Sequence, residues 1–494
     1  MADPDYDTVI VGAGFSGIGT AITLDRSGLT DYLIVEAGDD VGGTWYWNTY
    51  PGIAVDIPSF SYQFSFEQST EWSRTYAPGH ELAAYAAHCV DKYRLRPKIR
   101  FDTTVLRAEY VQEEQLWRLH VQSGELREAI TARFLVNASG ALTVPKLPDI
   151  AGVDSFAGPV VHTARWDHHL DLRGKRVGII GTGASAVQVI PEIAPIVKHL
   201  TVFQRTPIWC FPKFDVPLSK TARTLLRLPL GRTLQRMISQ LYVELTFPLP
   251  AQYFTVNPMA KRMAEVGRAY LRREVKDPQT RDKLTPRYAV GCKRPGFHNT
   301  YLSTFNRDNV ALVTEPIESV TGAGVRTAGD LHELDVLILA TGFQVMDVEN
   351  MTFPIHGRDG RSLGQFWAQH RLQAYEGVSV PGFPNFFTVF GPYGYVGSSY
   401  FALIEAQTHH IARCLRTAQR RRASRVEVRQ DANDRYFAEM MRKRHRQIFW
   451  QESCRQANSY YFDVNGDVPL RPASTLEAYW RSRRFPIDDY EFAA

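Results

Sequence analysis

The clearest pattern in the chain is an apolar run that ends in a glycine-rich turn and then changes to helical spacing. In DTVIVGAGFSGIG, residues 7–19, Gly12, Gly14 and Gly17 lie between a predicted strand and a predicted helix. This is the setting that the dinucleotide-binding fingerprint requires. Gly12 permits the tight turn, Gly14 lets a pyrophosphate approach the backbone, and Gly17 lets helix and strand pack closely. The next predicted strand, YLIVEAG, ends in Glu36, which is placed to accept hydrogen bonds from a ribose.

The same pattern recurs in KRVGIIGTGASAVQVIPEIA, residues 175–194, and HLTVFQRTP supplies the strand that follows. The position equivalent to Glu36 is occupied by Arg205. A carboxylate suits a ribose hydroxyl, whereas an arginine offers a fixed charge and a bidentate fork to a 2′-phosphate. The first unit is therefore predicted to bind FAD and the second NADPH. A solvated arginine at a strand end is the alternative interpretation of Arg205.

Two later apolar strands, FLVNASG ending at Gly140 and LDVLILATGF ending at Phe343, are predicted to return to the first unit. The fold class is therefore predicted to be α/β, with two Rossmann-like dinucleotide-binding domains, the second inserted in the first. FAD-domain sequence is expected at 1–145 and 335–494, with a substrate-side segment at the C-terminal end, and the NADPH domain at 146–334. A stretch at about 215–285 has helical spacing, and we favour a helical insertion on the core over a substrate-side or membrane-surface helix.

Composition excludes some classes of protein. The 494 residues carry a net charge of +5, and the basic residues are scattered, which argues against a nucleic-acid partner. No apolar run is long enough to predict a transmembrane helix. The five cysteines are far apart in sequence and show no metal-binding spacing, so a dithiol redox centre and a metal site are not expected, and a cytoplasmic location is predicted.

Two stretches carry candidate chemistry. GGTWYWNTYPGIAVD, residues 42–56, places four aromatic residues in a loop that ends in Asp56, and these rings either wall a flavin or form a local hydrophobic cluster. GCKRPGF contains the adjacent cations Lys293 and Arg294, which are either surface charge or a site for an anion. An arginine beside a flavin stays protonated and could stabilise a developing negative charge.

Together these stretches resemble the Baeyer–Villiger monooxygenases. FAGPVVHTARWD, residues 156–167, fits that family's signature F-x-G-x-x-x-H-x-x-x-W-[P/D], and residues 42–56 fit its signature [A/G]-G-x-W-x(4)-[F/Y]-P-[G/M]-x(3)-D. The resemblance implies an FAD- and NADPH-dependent enzyme that uses O2 and a C4a-peroxyflavin to insert one oxygen atom beside a small, apolar ketone's carbonyl. An N- or S-oxygenating flavin monooxygenase is the alternative, although Trp166 is not typical of it. A disulfide reductase on the same fold would need a close cysteine pair.

The resemblance also assigns roles. Arg294 is similar to the arginine that stabilises the peroxyflavin anion, and Asp56 to its acidic partner. His162 and Trp166 resemble the linker residues that couple the two domains, a conformational role. Tyr460 departs from the tryptophan that characterised members often carry, so no role is carried over to it. The remaining implied cofactor contacts are Gly43, Thr44, Trp45, Tyr46, Trp47, Tyr62 and Val105 for FAD, and Thr182, Gly183, Ala184, Ser185, Ala186, Val187, Arg205, Thr206 and Lys293 for NADPH.

Overall fold

The structure of the chain is a computed structural model that describes residues 3–254, 259–345 and 351–494. Its strands are β1 Tyr6–Val11, β2 Tyr32–Val35, β3 Ile99–Arg100, β4 Thr104–Val111, β5 Leu116–Ser123, β6 Leu126–Asn137, β7 Val160–His162, β8 Arg176–Ile180, β9 His199–Phe203, β10 Cys210–Phe211, β11 Gly296–Phe297, β12 Val310–Val313, β13 Ile317–Thr321, β14 Gly324–Thr327, β15 Leu331–Glu333, β16 Val336–Leu339, β17 Ile355–His356, β18 Phe386–Thr388, β19 Arg425–Val428 and β20 Tyr490–Ala493.

The helices follow the same chain order. They are α1 Phe15–Arg26, α2 Thr44–Trp47, α3 Gly79–Lys92, α4 Ala184–Ile193, α5 Lys220–Arg227, α6 Pro229–Thr246, α7 Pro248–Gln252, α8 Met259–Glu274, α9 Pro278–Lys283, α10 Tyr301–Thr304, α11 Leu363–His370, α12 Tyr400–Arg421, α13 Gln430–Lys443 and α14 Thr475–Arg484. None of the helices in the described ranges is long and apolar enough to cross a bilayer.

Each predicted nucleotide-binding unit is built on its own sheet. The first sheet has the order β17-β4-β5-β6-β1-β2-β3, with β18 paired to β6, and β1 is parallel to both neighbours. The second has the order β12-β9-β8-β16-β7 and all its pairs are parallel. Parallel strands bring their carboxyl ends to one edge, where open α/β sheets bind ligands. The glycine-rich turns after β1 and β8 therefore lie at the edges where nucleotides are expected.

One strand assignment from the sequence is wrong. The LDVLILATGF strand, β16, was predicted to return to the first unit, but it lies between β8 and β7 in the second sheet, with Leu337 paired to Gly178 and Val160. Its four residues are buried, as those of a central parallel strand are. An apolar strand that ends in glycine fits either sheet equally well, so the pattern could not distinguish them. The first sheet resumes with β17.

The segment at about 215–285 is helical in the structure and contains α5 to α9. Helix α6 packs against the rest of the chain through buried Ser239 and Val243, and Ser239 exchanges a 2.6 Å hydrogen bond with Ser61 of the first unit. The helical insertion thus packs on the segment around Ser61, which follows the aromatic loop of residues 42–56.

Candidate active site

The first glycine-rich turn has no room for side chains. Gly12 has a φ of +102°, which disfavours other residues, and a Cβ on Gly17 would lie 1.9 Å from the carbonyl oxygen of Gly12. At the end of β2, buried Glu36 accepts hydrogen bonds from the backbone N–H groups of Ala13, at 2.6 Å, and Gly38, at 2.8 Å. Because a carboxylate can accept about four hydrogen bonds, a ribose hydroxyl can still be added.

Val105 lies close to the edge of the first sheet at which β2 ends. Two residues earlier, the N–H of Thr103 donates to the carbonyl of Glu36 at 2.9 Å, so β4 begins beside the end of β2. The side chain of Val105 is buried. Its backbone, rather than its side chain, is therefore the part available to a nucleotide.

The second turn is closed at its first glycine and open at its second. A Cβ on Gly181 would lie 2.4 Å from the carbonyl oxygen of Ala340, whereas one on Gly183 would meet no atom within 4 Å. Gly183 caps the N-terminus of α4, the helix that carries Ala184, Ser185, Ala186 and Val187. The Oγ1 of Thr182 donates to the carbonyl of Thr206 at 2.9 Å, which ties this turn to the end of the next strand. An open helix N-terminus is suited to bind a pyrophosphate.

A cationic cavity adjoins this turn. Arg205, Thr206, Lys283 and Arg287 line it, together with Asp282, whose carboxylate lies 3.7 Å from Arg287. Lys293 lies nearby, and burial together with the charge of Arg205 lowers the pKa of Lys293 to about 8. Lys293 and Arg205 fit a 2′-phosphate, because two cations held close together are stabilised by a bound anion.

The aromatic loop lies between the two units. Helix α2 carries Trp45, Tyr46 and Trp47; Trp45 is buried and packs edge-on against Tyr62 at 5.7 Å between ring centroids. Gly43 comes so close to the first turn that a Cβ there would lie 2.9 Å from the Cα of Gly14. From the same loop, Tyr50 donates a 3.0 Å hydrogen bond to Gln188 of α4. The loop is thus a wall shared by both nucleotide sites.

Arg294 and Asp56, 238 residues apart in sequence, form a bidentate ion pair. Nε donates to Oδ2 at 2.6 Å and Nη2 to Oδ1 at 2.8 Å. Burial would raise the pKa of Asp56, but the charge and hydrogen bonds of Arg294 hold it below its usual range. Burial also opposes the charge on Arg294, yet Asp56 outweighs this and keeps the pKa of Arg294 well above its usual value. Both shifts favour the charged forms of the two groups.

This ion pair lies at the wall of a small cavity of about 30 Å³ that is otherwise largely apolar. Helix α6 contributes three residues to the lining, and the ring of Phe247, the residue after the helix, lies 5.9 Å from the guanidinium carbon of Arg294. The lining residues besides the ion pair are Ile57, Pro58, Tyr242, Val243, Thr246, Phe247, Pro295, Phe297 and Gly397. From the sequence, Tyr242, Val243 and Thr246 of α6 were not identified as site residues. The helical spacing of residues 215–285 indicated only that a helix lies there.

His162 and Trp166 lie in the linker between the units. His162 ends β7, and its Nδ1 accepts a 3.0 Å hydrogen bond from the N–H of Ala164, while its buried Nε2 has no partner within the described part of the chain. Burial lowers the pKa of this histidine, so its neutral form is favoured. Trp166 packs against the core of the second unit, and the guanidinium of Arg165 lies 4.4 Å from the ring centroid of Trp47. The linker therefore contacts both the second sheet and the aromatic loop.

The C-terminal segment reaches the nucleotide site through a residue that the sequence did not single out. The Nδ2 of Asn458 donates to the Oγ1 of Thr206 at 2.7 Å, at the rim of the cationic cavity. Tyr460, two residues later, packs beside Tyr461 and remains 42% exposed. No spacing rule connects residues 206 and 458, so this contact required the fold.

The structure pairs two distant cysteines. Cys292 and Cys454, 162 residues apart, form a disulfide, whereas the sequence indicated only the absence of close pairs of C-x-x-C type. The other cysteines, Cys89, Cys210 and Cys414, are buried and free. The disulfide joins the residue two places before Arg294 to the segment that carries Asn458. It is not a C-x-x-C centre, and spacing in sequence could not reveal it because the fold alone brings the two segments together.

Comparisons with known proteins identify the chain. A family model described as "Pyridine nucleotide-disulphide oxidoreductase" matches residues 9–230. A Baeyer–Villiger monooxygenase of Streptomyces coelicolor is 38% identical over 490 residues, covering 98% of this chain and 92% of the relative, and one of Pseudomonas aeruginosa is 37% identical over 486, covering 97% and 90%.

Solved structures agree over the whole chain. A structure described as "OTEMO complex with FAD and NADP" has a TM-score of 0.88 at 31% identity and covers 100% of both chains. A steroid monooxygenase bound to NADP has a TM-score of 0.87 at 31% identity and covers 99% of this chain and all of its own. The predicted two-domain α/β flavoprotein fold is therefore confirmed. The chain belongs to the Baeyer–Villiger monooxygenases, the FAD- and NADPH-dependent enzymes that insert one oxygen atom beside a ketone carbonyl, as its two signatures predicted.

Proposed function

We propose that oxygen insertion takes place in the apolar cavity beside Arg294, and the observation that carries this is the bidentate Arg294–Asp56 pair at the cavity wall. FAD would extend from the first turn and Glu36 to the aromatic loop. NADPH would extend from the second turn to the cationic cavity. Such an assignment is supported by the closed turn at Gly17, the open one at Gly183 and the cations around Arg205.

When bound, FAD reduced by NADPH supplies the activated oxygen. Overall, one atom of O2 enters the bond between the carbonyl carbon and a neighbouring carbon, so that one C–C bond breaks and two C–O bonds form. The other atom leaves as water, with two electrons from NADPH and protons from NADPH and solvent. The product is an ester or a lactone.

Arg294 supplies the fixed positive charge that this reaction needs. Negative charge develops on the attacking and carbonyl oxygens, and a preorganised cation in a water-poor site stabilises it without reorganisation. Asp56 is a positioning residue, because its two oxygens accept both hydrogen bonds from the guanidinium and fix the plane of the group. The remaining N–H donors of Arg294 are left to face the reacting atoms.

The other residues bind and orient. We propose that Lys293, Arg205 and Thr206 hold the 2′-phosphate, joined by Asn458, and that His162 and Trp166 transmit nucleotide binding between the units through Arg165 and the aromatic loop. The cavity's aliphatic and aromatic lining favours a small apolar ketone. We also propose a cytoplasmic setting for the enzyme, in which the Cys292–Cys454 disulfide is an exception to the reduced thiols usual there.

The test is Arg294→Ala in the FAD-loaded enzyme. Ester formation is expected to fall by about a thousandfold. FAD content should stay unchanged, because the side chain lies outside the first turn, and NADPH oxidation should continue with release of hydrogen peroxide. Arg294→Lys keeps the charge but loses the bidentate fork, so intermediate ester formation is expected.

The control is Arg326→Ala, since Arg326 is an exposed arginine of β14 far along the chain from the cavity residues. It should leave ester yield and peroxide release unchanged. Normal ester formation by Arg294→Ala would contradict the assignment.

A further inference from the structure

Helix α6 carries an apolar stripe on its outer side. Leu230 is 80% exposed and Leu241 is 60% exposed, and the whole set, here called the outer stripe, consists of Leu230, Leu234, Met237, Ile238, Leu241 and Leu245. At 3.6 residues per turn these six fall within an arc of about 100°. Soluble monomers rarely expose so continuous an apolar surface unless something covers it.

The exposed charges beside the outer stripe are mainly positive. Residues 216–243 contain five cations, Lys220, Arg223, Arg227, Arg232 and Arg236, while Glu244, within the stripe, accepts a hydrogen bond from Thr475. Lys220 and Arg227 are exposed at the two ends of α5, although Arg227 lies 3.7 Å from Glu71. Arg236 points inward and donates to the carbonyl of Gln63 at 2.8 Å. An apolar stripe bordered by exposed cations is complementary to an anionic lipid surface.

A second helix extends this surface. Helix α14 begins against the C-terminal end of α6, where the N–H of Thr475 donates to Glu244 at 2.9 Å. Its Leu476 and Trp480, one turn apart, are exposed, and the guanidinium of Arg484 lies 4.2 Å from the Trp480 ring centroid. Tryptophan and arginine at the border of an aliphatic surface are typical of the membrane–water interface.

Two alternative occupants fit less well. A second copy of this chain would bring the exposed cations Lys220 and Arg227 of both copies together across a two-fold axis. A protein partner is usually met by tyrosine, tryptophan and arginine in a well-packed centre, whereas this stripe is aliphatic throughout and lies on a convex helix. A lipid surface accommodates both the exposed cations and an aliphatic stripe on a convex helix.

The opposite side of α6 lines the candidate active-site cavity through Tyr242, Val243 and Thr246, and Phe247 follows directly after the helix. One helix therefore separates the cavity from the outer stripe. We propose that the outer stripe docks on an anionic membrane surface and that the enzyme takes apolar ketones dissolved in that membrane. The docking proposal is argued from the exposed outer stripe and the cations beside it. The substrate class also rests on the proposed function.

Flotation of the full-length FAD-loaded enzyme with vesicles tests docking without any turnover. Binding is expected to vesicles of phosphatidylcholine with phosphatidylglycerol, to be much weaker with phosphatidylcholine alone, and to weaken as salt is added. The triple variant Leu234→Gln, Ile238→Gln, Leu241→Gln should lose at least about a hundredfold in affinity. Lys220→Gln with Arg227→Gln should lose about thirtyfold.

The matched control replaces three exposed apolar residues elsewhere, Leu126, Leu147 and Val464, with glutamine, and it should bind like the wild type. Absence of wild-type binding, or equal binding by the stripe and control variants, would overturn docking. Docking would also be overturned if the wild type sediments as a dimer, the stripe variant sediments as a monomer, and the wild type does not bind vesicles.

A turnover assay separates this inference from the proposed function. A long-chain ketone in anionic vesicles should be oxidised at least about tenfold more slowly by the stripe variant, while a short water-soluble ketone is oxidised equally well. Equal rates on the vesicle-borne ketone would refute the substrate class. If the wild type oxidises neither ketone, the proposed function fails, and flotation still decides docking.

Discussion

Lys293 makes the use of NADPH depend on pH in a way that can be calculated. Its pKa is lowered to about 8 by burial and by the charge of Arg205, so the ammonium loses its proton as the pH rises through 8. The charged fraction falls from about nine tenths at pH 7 to about one tenth at pH 9. If only the charged form holds the 2′-phosphate, the KM for NADPH should rise about tenfold over that interval.

Steady-state rates measured across this range, with NADPH varied at each pH, provide the test. The kcat at saturating NADPH should change little, because a bound phosphate dianion keeps the neighbouring ammonium charged. NADH lacks the 2′-phosphate, so its weaker kcat/KM should not show the decline near pH 8. Lys293→Arg should remove the decline for NADPH, since the guanidinium stays protonated. A KM for NADPH that does not change through pH 8, or the same decline with NADH, would refute this reasoning.

Three further changes test other parts of the structure. Gly17→Ala places a Cβ 1.9 Å from the Gly12 carbonyl oxygen, so purified protein should lose most of its bound FAD by absorbance, whereas Ser16→Ala on the same helix should retain it. Asp56→Asn should lower ester formation about a hundredfold and raise the ratio of hydrogen peroxide to ester, because Arg294 is no longer held in plane; Asp56→Glu should restore part of the yield, and an unchanged ratio would contradict a positioning role. Cys454→Ser should lower the free energy of unfolding in urea by up to about 5 kcal/mol, and the wild type in reductant should match it; equal stability of both forms without reductant would rule out that contribution.

The sequence predicts best what is decided within one strand–turn–helix unit. Gly12, Gly17 and Glu36 lie within 25 residues of one another, so their spacing carries the geometry of the turn. The family signatures extend this to Asp56 and His162, because each signature is one continuous stretch of sequence. These motifs were sufficient to predict the family, both cofactors and the fold class.

Contacts between distant segments could not be predicted in this way. Strand β16 has an apolar pattern that fits either sheet, and only its partners β7 and β8 decide between them. Helix α6 is apolar on two sides, and its composition does not reveal which side meets the cavity. The contact between Asn458 and Thr206 joins loops of ordinary composition. In each case the missing information is tertiary packing.

The disulfide between Cys292 and Cys454 has a consequence for the order in which the enzyme is made. When Cys292 leaves the ribosome, 162 residues remain to be added before Cys454, its covalent partner, also leaves it. At elongation rates of about 5–20 residues per second, this takes roughly 8 to 32 seconds. During that interval both sheets can form while the loop with Arg294 has no covalent anchor. Closure of the disulfide therefore follows the synthesis of both sheets, and nascent chains that stop short of residue 454 would carry both glycine-rich turns without it.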